Sequence, residues 1–112
     1  MNCILSDIVE KSETLSQIHK SNLKAGDTII LKTANSVYMI KVLEEKQYTV
    51  SGGWFDKNNL SPVTTTINGC TWGGSIIKND IVAACGLHLE FGNKIVTSRI
   101  NKIFHVSSIR KN

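Results

Sequence analysis

The basic side chains near the C-terminal end are the residues of this chain best suited to bind an anion. Residues 94–112 contain no acidic side chain and five basic ones: Lys94, Arg99, Lys102, Arg110 and Lys111. The whole chain has a net charge of +4, so its first 93 residues carry a net charge of −1. This asymmetry is typical of a surface that binds a polyanion. It is equally typical of a solvated edge strand followed by a frayed terminus.

Cys70 and His88 are the candidates for nucleophilic chemistry. A thiol beside an imidazole forms a nucleophile–base pair, which Asp80 or Glu90 would orient. The pair must meet in space, and no family signature surrounds Cys70. We therefore expect no enzyme, and a Cys-dependent activity is the least favoured alternative.

Cys85 and His88 form a Cys-x2-His unit, and Cys70 and Cys3 are further thiols. Zinc sites use four ligands, usually as two closely spaced pairs, and this chain contains one such pair. Residues i and i+3 of a strand also point to opposite faces. We therefore predict no metal site and no cofactor.

The segment N-G-C-T-W-G-G-S at residues 68–75 is rich in glycine. Consecutive glycines allow backbone N–H groups to converge on an anion. No helix-start pattern follows the segment, so it is neither a P-loop nor a dinucleotide fingerprint. The favoured interpretation is a bulge or corner at which Trp72 covers the core.

The elements that would position these side chains are mostly strands. Apolar side chains at helical spacing predict one amphipathic helix within residues 1–22. After residue 26 the period changes to two, and we predict strands over residues 28–33, 37–43, 47–51, 64–66, 75–78, 81–91 and 94–106. A loop over residues 54–63 and a tight turn at Gly92-Asn93 separate them.

These elements predict an all-β fold with one N-terminal helix. Six or seven short strands with Gly and Asn between them are typical of a small barrel or sandwich. We expect one domain over residues 1–112, with the helix at 1–22, a barrel at 26–107 and a basic tail at 108–112.

Composition excludes several classes of protein. No apolar run approaches the roughly 18 residues of a membrane span, so we expect no membrane partner. Residues 1–12 contain two acidic side chains and no basic residue before the apolar stretch, which argues against a signal peptide. Three cysteines without an export signal favour reduced thiols and a cytoplasmic location.

Two stretches resemble the Sm-like branch of the small SH3-like barrels. Residues 26–60, two strands followed by D-K-N-N-L, are similar to the first Sm motif, in which strands lead to Asp-x-x-Asn-hydrophobic. Residues 91–96, F-G-N-K-I-V, are similar to the Arg-Gly-Asn-x-hydrophobic-hydrophobic turn of the second motif, with Phe91 in place of Arg. The segments T-W-G-G-S, G-L-H-L-E-F and V-T-S-R-I also resemble small uncharacterised bacterial or phage proteins.

The Sm-like resemblance implies a barrel of five to seven strands that forms rings by edge-strand pairing. It also implies that RNA bases are held by the loop residues Asp56, Asn59, Gly92 and Asn93. The residue types add stacking on Trp54 or Phe91. They add phosphate contacts from Lys94, Arg99, Lys102, Arg110 and Lys111.

We therefore predict a homo-oligomeric β-barrel module that binds single-stranded RNA or DNA through a basic C-terminal face. The alternative is a structural or assembly protein, of phage origin, whose barrel edges pair between copies and which has no affinity for nucleic acid.

Overall fold

The chain is built mostly from β-strands in a computed structural model that describes residues 13–72 and 77–108. The largest sheet has six strands in the spatial order β1 (Glu13–Leu15), β11 (Ile100–Val106), β3 (Thr28–Thr33), β4 (Val37–Val42), β5 (Tyr48–Gly52) and β6 (Val63–Thr65). A second sheet has the order β10 (His88–Phe91), β7 (Ile67–Thr71) and β8 (Ile77–Lys78). The third sheet pairs β2 (Gln17–His19) with β9 (Ile81–Ala84).

The helical elements of the described residues are short. A 3-10 turn spans Lys20–Asn22, and helix α1 spans Gly53–Lys57 at the end of β5. Across residues 13–72 and 77–108, no helix is long and apolar enough to cross a membrane.

The β3–β4 hairpin is the centre of the largest sheet. Ile29, Leu31, Tyr38 and Ile40 share its inner face, where they are buried in the core. The Thr33 hydroxyl closes the turn, because it accepts the backbone N–H groups of residues 35 and 36 and donates to the carbonyl of residue 36. The other face of the hairpin is exposed at Lys32, Val37 and Met39 and buried at Ile30.

One hydrophobic core joins all three sheets. Ile18 from β2, Val82 from β9, and Cys70 from β7 lie in the same buried cluster as the inner faces of β3, β4 and β5. Three buried aromatic rings, those of Tyr38, Phe55 and Phe91, pack edge to face or tilted within it, and the exposed ring of Trp54 packs edge to face on Phe55. The smaller sheets are thus held against the largest sheet by shared apolar burial.

The β-rich prediction is confirmed, but the predicted closed barrel is not, because no sheet in the described ranges closes on itself. The prediction of an N-terminal helix is wrong for residues 13–22, which form β1, β2 and the 3-10 turn. Pairing of β1 with β11 and of β2 with β9 outweighs the helical spacing there. Residues 1–12 and the tail residues 109–112 lie outside the described residues.

Three strand predictions need correction. The predicted strand at 81–91 is two strands, separated by a turn in which Gly86 has φ +89°. The strand predicted over 94–106 begins only at Ile100. Part of the glycine-rich segment is a strand, β7, and its pairing with β10 shifts register opposite Gly69. That register shift confirms the predicted bulge, and a Cβ on Gly69 would collide with the Lys78 carbonyl. The prediction that Trp72 covers the core is wrong, because Trp72 follows the end of β7 and is 71% exposed. Residues 73–76 lie outside the described residues.

A buried carboxylate ties the start of β3 to the end of β11. Asp27 is 2% exposed and accepts the backbone N–H groups of Lys24 (3.1 Å) and Ser108 (2.8 Å) and the His105 imidazole at Nε2 (2.9 Å). Burial alone would raise the pKa of Asp27, but these hydrogen bonds outweigh it, so the pKa lies below its ordinary 3.8. The ionised carboxylate therefore stabilises the fold.

Asp27→Asn should lower the free energy of unfolding at pH 7 by about 1–3 kcal/mol, because an amide cannot accept hydrogen bonds at both of its polar atoms. The folded-state pKa lies below the unfolded one, so the carboxylate's contribution is present above pH 3.8 and is lost as the pH falls through the folded pKa. Denaturant unfolding at pH 7, 5 and 3 should show the gap between wild type and variant shrinking toward low pH. Asp80→Asn, at a side chain 79% exposed, is the control and should change stability by less than about 0.5 kcal/mol. A gap that stays constant with pH would contradict this role.

Candidate functional site

Three cations gather at one end of the largest sheet, on or beside its outer face. Lys32 on β3 and Lys102 on β11 are directly opposite each other in the antiparallel pair. Arg99 immediately precedes β11, and its carbonyl accepts the backbone N–H of Ala34 at 2.9 Å. We call Lys32, Arg99 and Lys102 the basic patch.

The sequence folds locally so as to hold Arg99 beside the β3–β4 hairpin. The Asn35 side-chain amide donates to the Ser98 hydroxyl at 2.6 Å, and Ile100 pairs with Thr33. A register shift between Ile100 and Lys102 then places Lys102 opposite Lys32. The patch thus combines three cations with an amide and a hydroxyl, the groups that contact phosphates.

No acid among the described residues pairs with the basic patch. Lys32, Arg99 and Lys102 are exposed, and none of them forms an ion pair with an acid within residues 13–72 and 77–108. The residues paired with Lys32 on its two sides are Lys102 and Val37. Like charges directly opposite each other across a sheet repel, so this arrangement favours an anionic partner.

Asp56 and Asn59, predicted to hold RNA bases, have local structural contacts. The Asp56 carboxylate accepts the backbone N–H of Gly52 at 3.0 Å, which fixes the junction between β5 and α1. Asn59 has φ +58° and its N–H donates to the Asp56 carbonyl, as expected for a left-handed residue after a helix. Both side chains are exposed on the α1 segment.

The predicted tight turn is formed by Gly92, Asn93 and Lys94. It follows β10 and does not belong to the β3–β11 pair that carries the basic patch. The Gly92 N–H donates to the Thr66 carbonyl at 2.7 Å, which places the turn beside the link from β6 to β7. A Cβ on Gly92 would clash with the Thr66 hydroxyl, and Lys94 has φ +73°. Asn93 and Lys94 are exposed, while Gly92 is needed for close backbone packing.

Phe91 is a core residue and has no exposed ring face on which a base could stack. Its ring is 0% exposed and packs 5.2 Å from Phe55 and 6.0 Å from Tyr38, centroid to centroid. Trp54 is 37% exposed. Its backbone N–H donates to the Tyr38 hydroxyl, which places α1 beside the start of β4. Trp54 is therefore the predicted stacking residue that stays accessible. Arg110 lies outside the described residues.

The structure separates Cys70 from His88. Cys70 pairs with Leu89, whereas His88 pairs with Thr71, so the thiol and the imidazole point to opposite faces. The Cys70 thiol donates to the Val82 carbonyl, and burial raises its pKa to about 11 despite a hydrogen bond from the backbone of residue 84. His88 Nδ1 donates to the Thr97 carbonyl at 2.9 Å.

The proposed orienting acids are also engaged elsewhere. Asp80 lies 3.6 Å from the His19 imidazole, and Glu90 accepts the Asn68 amide at 2.7 Å. In the ranges the structure describes, no group of three or more His, Cys, Asp or Glu side chains is arranged to hold a metal ion.

Sequence reasoning missed Lys32 as a member of the site. Lys32 is the one charged residue of β3, and its partner Lys102 is seventy residues further along the chain. The two lysines meet only through the pairing of β3 with β11, which the local sequence of neither strand specifies.

Cys70 should resist thiol reagents in the folded protein. In a Cys3→Ser background at pH 7.5, Cys85, which is exposed, should react quickly, and Cys70 should react more than about 100-fold more slowly because little of it is thiolate. Reaction with a chromogenic disulfide should give one fast thiol in the native state and two after denaturation. Adding Cys85→Ser should remove the fast thiol. Rapid, stoichiometric labelling of native Cys70 would contradict its burial and favour a Cys-dependent enzyme.

Because the comparisons with known proteins give no match, the proposed function rests on the geometry of the chain itself. No protein-family model, no curated protein and no solved structure matches this chain.

Proposed function

We propose that this protein is a non-enzymatic module that binds single-stranded nucleic acid through the basic patch. The observation that carries the proposal is the direct opposition of Lys32 and Lys102, with Arg99 beside them and no acid paired with any of the three in the described ranges. A phosphate bound between the two ammonium groups would offset their mutual repulsion, because it attracts both of them. Residues directly opposite in a sheet have Cβ atoms about 5 Å apart, close enough for one phosphate to contact both lysines.

A single strand fits the patch better than a duplex. The outer face next to the lysines includes Val37 and Met39, which are 41% and 37% exposed. Unstacked bases can lie on such an apolar surface while the backbone follows the cations. Asn35 and Ser98 supply neutral hydrogen-bonding groups at the same end of the sheet.

Arg99→Ala combined with Lys102→Ala should weaken binding of labelled single-stranded RNA and DNA to a similar extent for all sequences, because phosphate contacts carry no sequence information. Two lost phosphate contacts should also flatten the slope of log K against log salt by about 1.4. Fluorescence anisotropy at about 50 and 200 mM salt measures both effects.

The matched control is Lys24→Ala combined with Lys78→Ala, which removes the same charge from exposed positions away from the patch. The control pair should leave the salt slope unchanged. Equal losses in the two double variants would mean that net charge, and not the patch, governs binding. Absence of wild-type binding at 50 mM salt would exclude the proposal.

The finer, Sm-like form of the proposal adds that identical copies assemble through strand edges and that loops bearing Asp56, Asn59 and Asn93 meet RNA around a shared opening. What supports assembly is the edge of the largest sheet. Among the described strands, β6 pairs only with β5 and leaves its other side open. The same open edge supports the alternative of a structural or assembly protein without affinity for nucleic acid.

Thr64→Lys on β6 should shift any oligomer toward monomer by at least about tenfold in dissociation constant, because a charged side chain on an edge strand opposes pairing between copies. Thr49→Lys is the control, since residue 49 pairs with residue 64 but lies on the neighbouring internal strand. Sedimentation velocity with and without oligonucleotide separates the alternatives. Assembly without nucleic-acid binding would favour the structural protein, and a monomeric wild type would exclude both forms of assembly.

A further inference from the structure

A polar groove lies beside the β4–β5 hairpin, apart from the basic patch. It has a volume of about 890 Å³, and we call it the hairpin groove. The residues that matter most for its chemistry are His19, Lys20, Lys46, Tyr48 and Asp80. Its size lies within the range that holds small ligands.

An unusual turn brings Lys46 to the groove. Glu45 and Lys46 have φ +58° and +61°, and the flanking Leu43 N–H donates to the Gln47 carbonyl at 2.9 Å. Two consecutive left-handed residues define a two-residue hairpin turn in which Asn and Gly are the usual residues. Strained backbone of this kind tends to occur at functional sites. Here the turn fixes a lysine at the groove.

Lys20 reaches the same groove from the opposite side. Its ammonium group donates to the Ile67 carbonyl at 2.9 Å, and its backbone N–H donates to the Asp80 carbonyl at 2.9 Å. Burial lowers the pKa of Lys20, and the positive charge of Lys46 lowers it further, while Asp80 opposes the shift. Lys20 and Lys46 both line the groove, so their charges act on the same space.

Tyr48 supplies a hydroxyl at the floor of the groove. The residue is 3% exposed, and its hydroxyl makes no hydrogen bond to any residue in the described ranges. Every fully buried side-chain nitrogen or oxygen in those ranges has a partner, so this hydroxyl reaches the groove surface. It can donate a hydrogen bond to a bound oxygen.

The acids of the groove limit what it can hold. Glu44, Glu45 and Asp80 are exposed at its rim and accompany the two lysines. Several phosphates in a row would meet these carboxylates and be repelled. A single phosphate on a molecule that also carries hydroxyl groups would place the phosphate at the lysines and donate hydrogen bonds to Glu44 or Asp80.

We propose that the hairpin groove binds a small phosphate monoester bearing sugar hydroxyls, with its phosphate between Lys20 and Lys46 and beside the Tyr48 hydroxyl. This site is separate from the basic patch and does not depend on the proposed function. A free nucleoside monophosphate or sugar phosphate and the phosphorylated end of a strand share this chemistry.

Two variants of the hairpin turn make a matched test. Lys46→Gly removes the ammonium group and Glu45→Gly removes a carboxylate, and glycine accepts the left-handed backbone at both positions. Both variants should therefore fold at least as well as wild type. Calorimetric titration with inorganic phosphate, a nucleoside monophosphate and the unphosphorylated nucleoside should show that the monophosphate binds at one site and the nucleoside at least tenfold more weakly. Lys46→Gly should weaken binding of the monophosphate at least tenfold, whereas Glu45→Gly should leave it unchanged or tighten it.

The source of the phosphate is distinguished by oligonucleotides with a 5′-phosphate or a 5′-hydroxyl, measured in the Arg99→Ala, Lys102→Ala background. Preference for the phosphorylated strand that is lost in Lys46→Gly would identify a strand end as the ligand. Binding of the monophosphate alone would identify a small metabolite. Equal affinity for nucleoside and monophosphate, or equal weakening in the two glycine variants, would overturn the proposal.

Discussion

The buried carboxylate of Asp27 is the contact on which the position of β11 depends. It lies immediately before β3 and binds His105 and the backbone of Ser108, which are 78 and 81 residues away in the chain. A carboxylate removed from water is stable only when donors replace the lost hydration. Because these donors come from the end of β11, the need to satisfy one buried charge fixes that strand against β3. The Ser108 backbone N–H and the His105 Nε2 both donate to the carboxylate. The Asp27–His105–Ser108 cluster therefore organises structure and is not arranged as a catalytic triad.

The basic patch follows from the same pairing. Ile103 is buried opposite Leu31, and Lys102 therefore points outward, opposite Lys32. A slip of one residue would send Ile103 to the outer face and Lys102 into the core, which neither side chain tolerates. The repulsion between the two lysines is thus small beside the apolar burial that enforces it. Core packing therefore keeps Lys32 and Lys102 adjacent even though their charges repel each other.

Local patterns predicted the local structure, and pairing could not be predicted from them. The predicted strand at 28–33 matches β3, and the predicted hairpin to β4 forms, because both segments are rich in β-branched residues and are joined by turn-forming ones. The short strands β1 and β2 depend on partners far along the chain, β11 and β9, so helical spacing was misleading. Asp56, Asn59 and Gly92 were predicted as site residues from the Sm-like resemblance. Each of these residues has a structural role instead. Asp56 fixes the junction between β5 and α1, Asn59 adopts a left-handed backbone, and Gly92 allows a close backbone contact.

The basic patch and the hairpin groove hold their lysines in different surroundings, and this difference governs what each would bind. The patch has cations with no acid paired to them in the described ranges, so its attraction extends outward and suits a polymer of phosphates. The groove sets Lys20 and Lys46 among three carboxylates, so its attraction is confined to the space between the lysines. A small monoester would gain more from the two lysines and the hydroxyl of the groove than from the open surface of the patch, where water competes for every contact. The two proposed ligands would therefore not compete for one site.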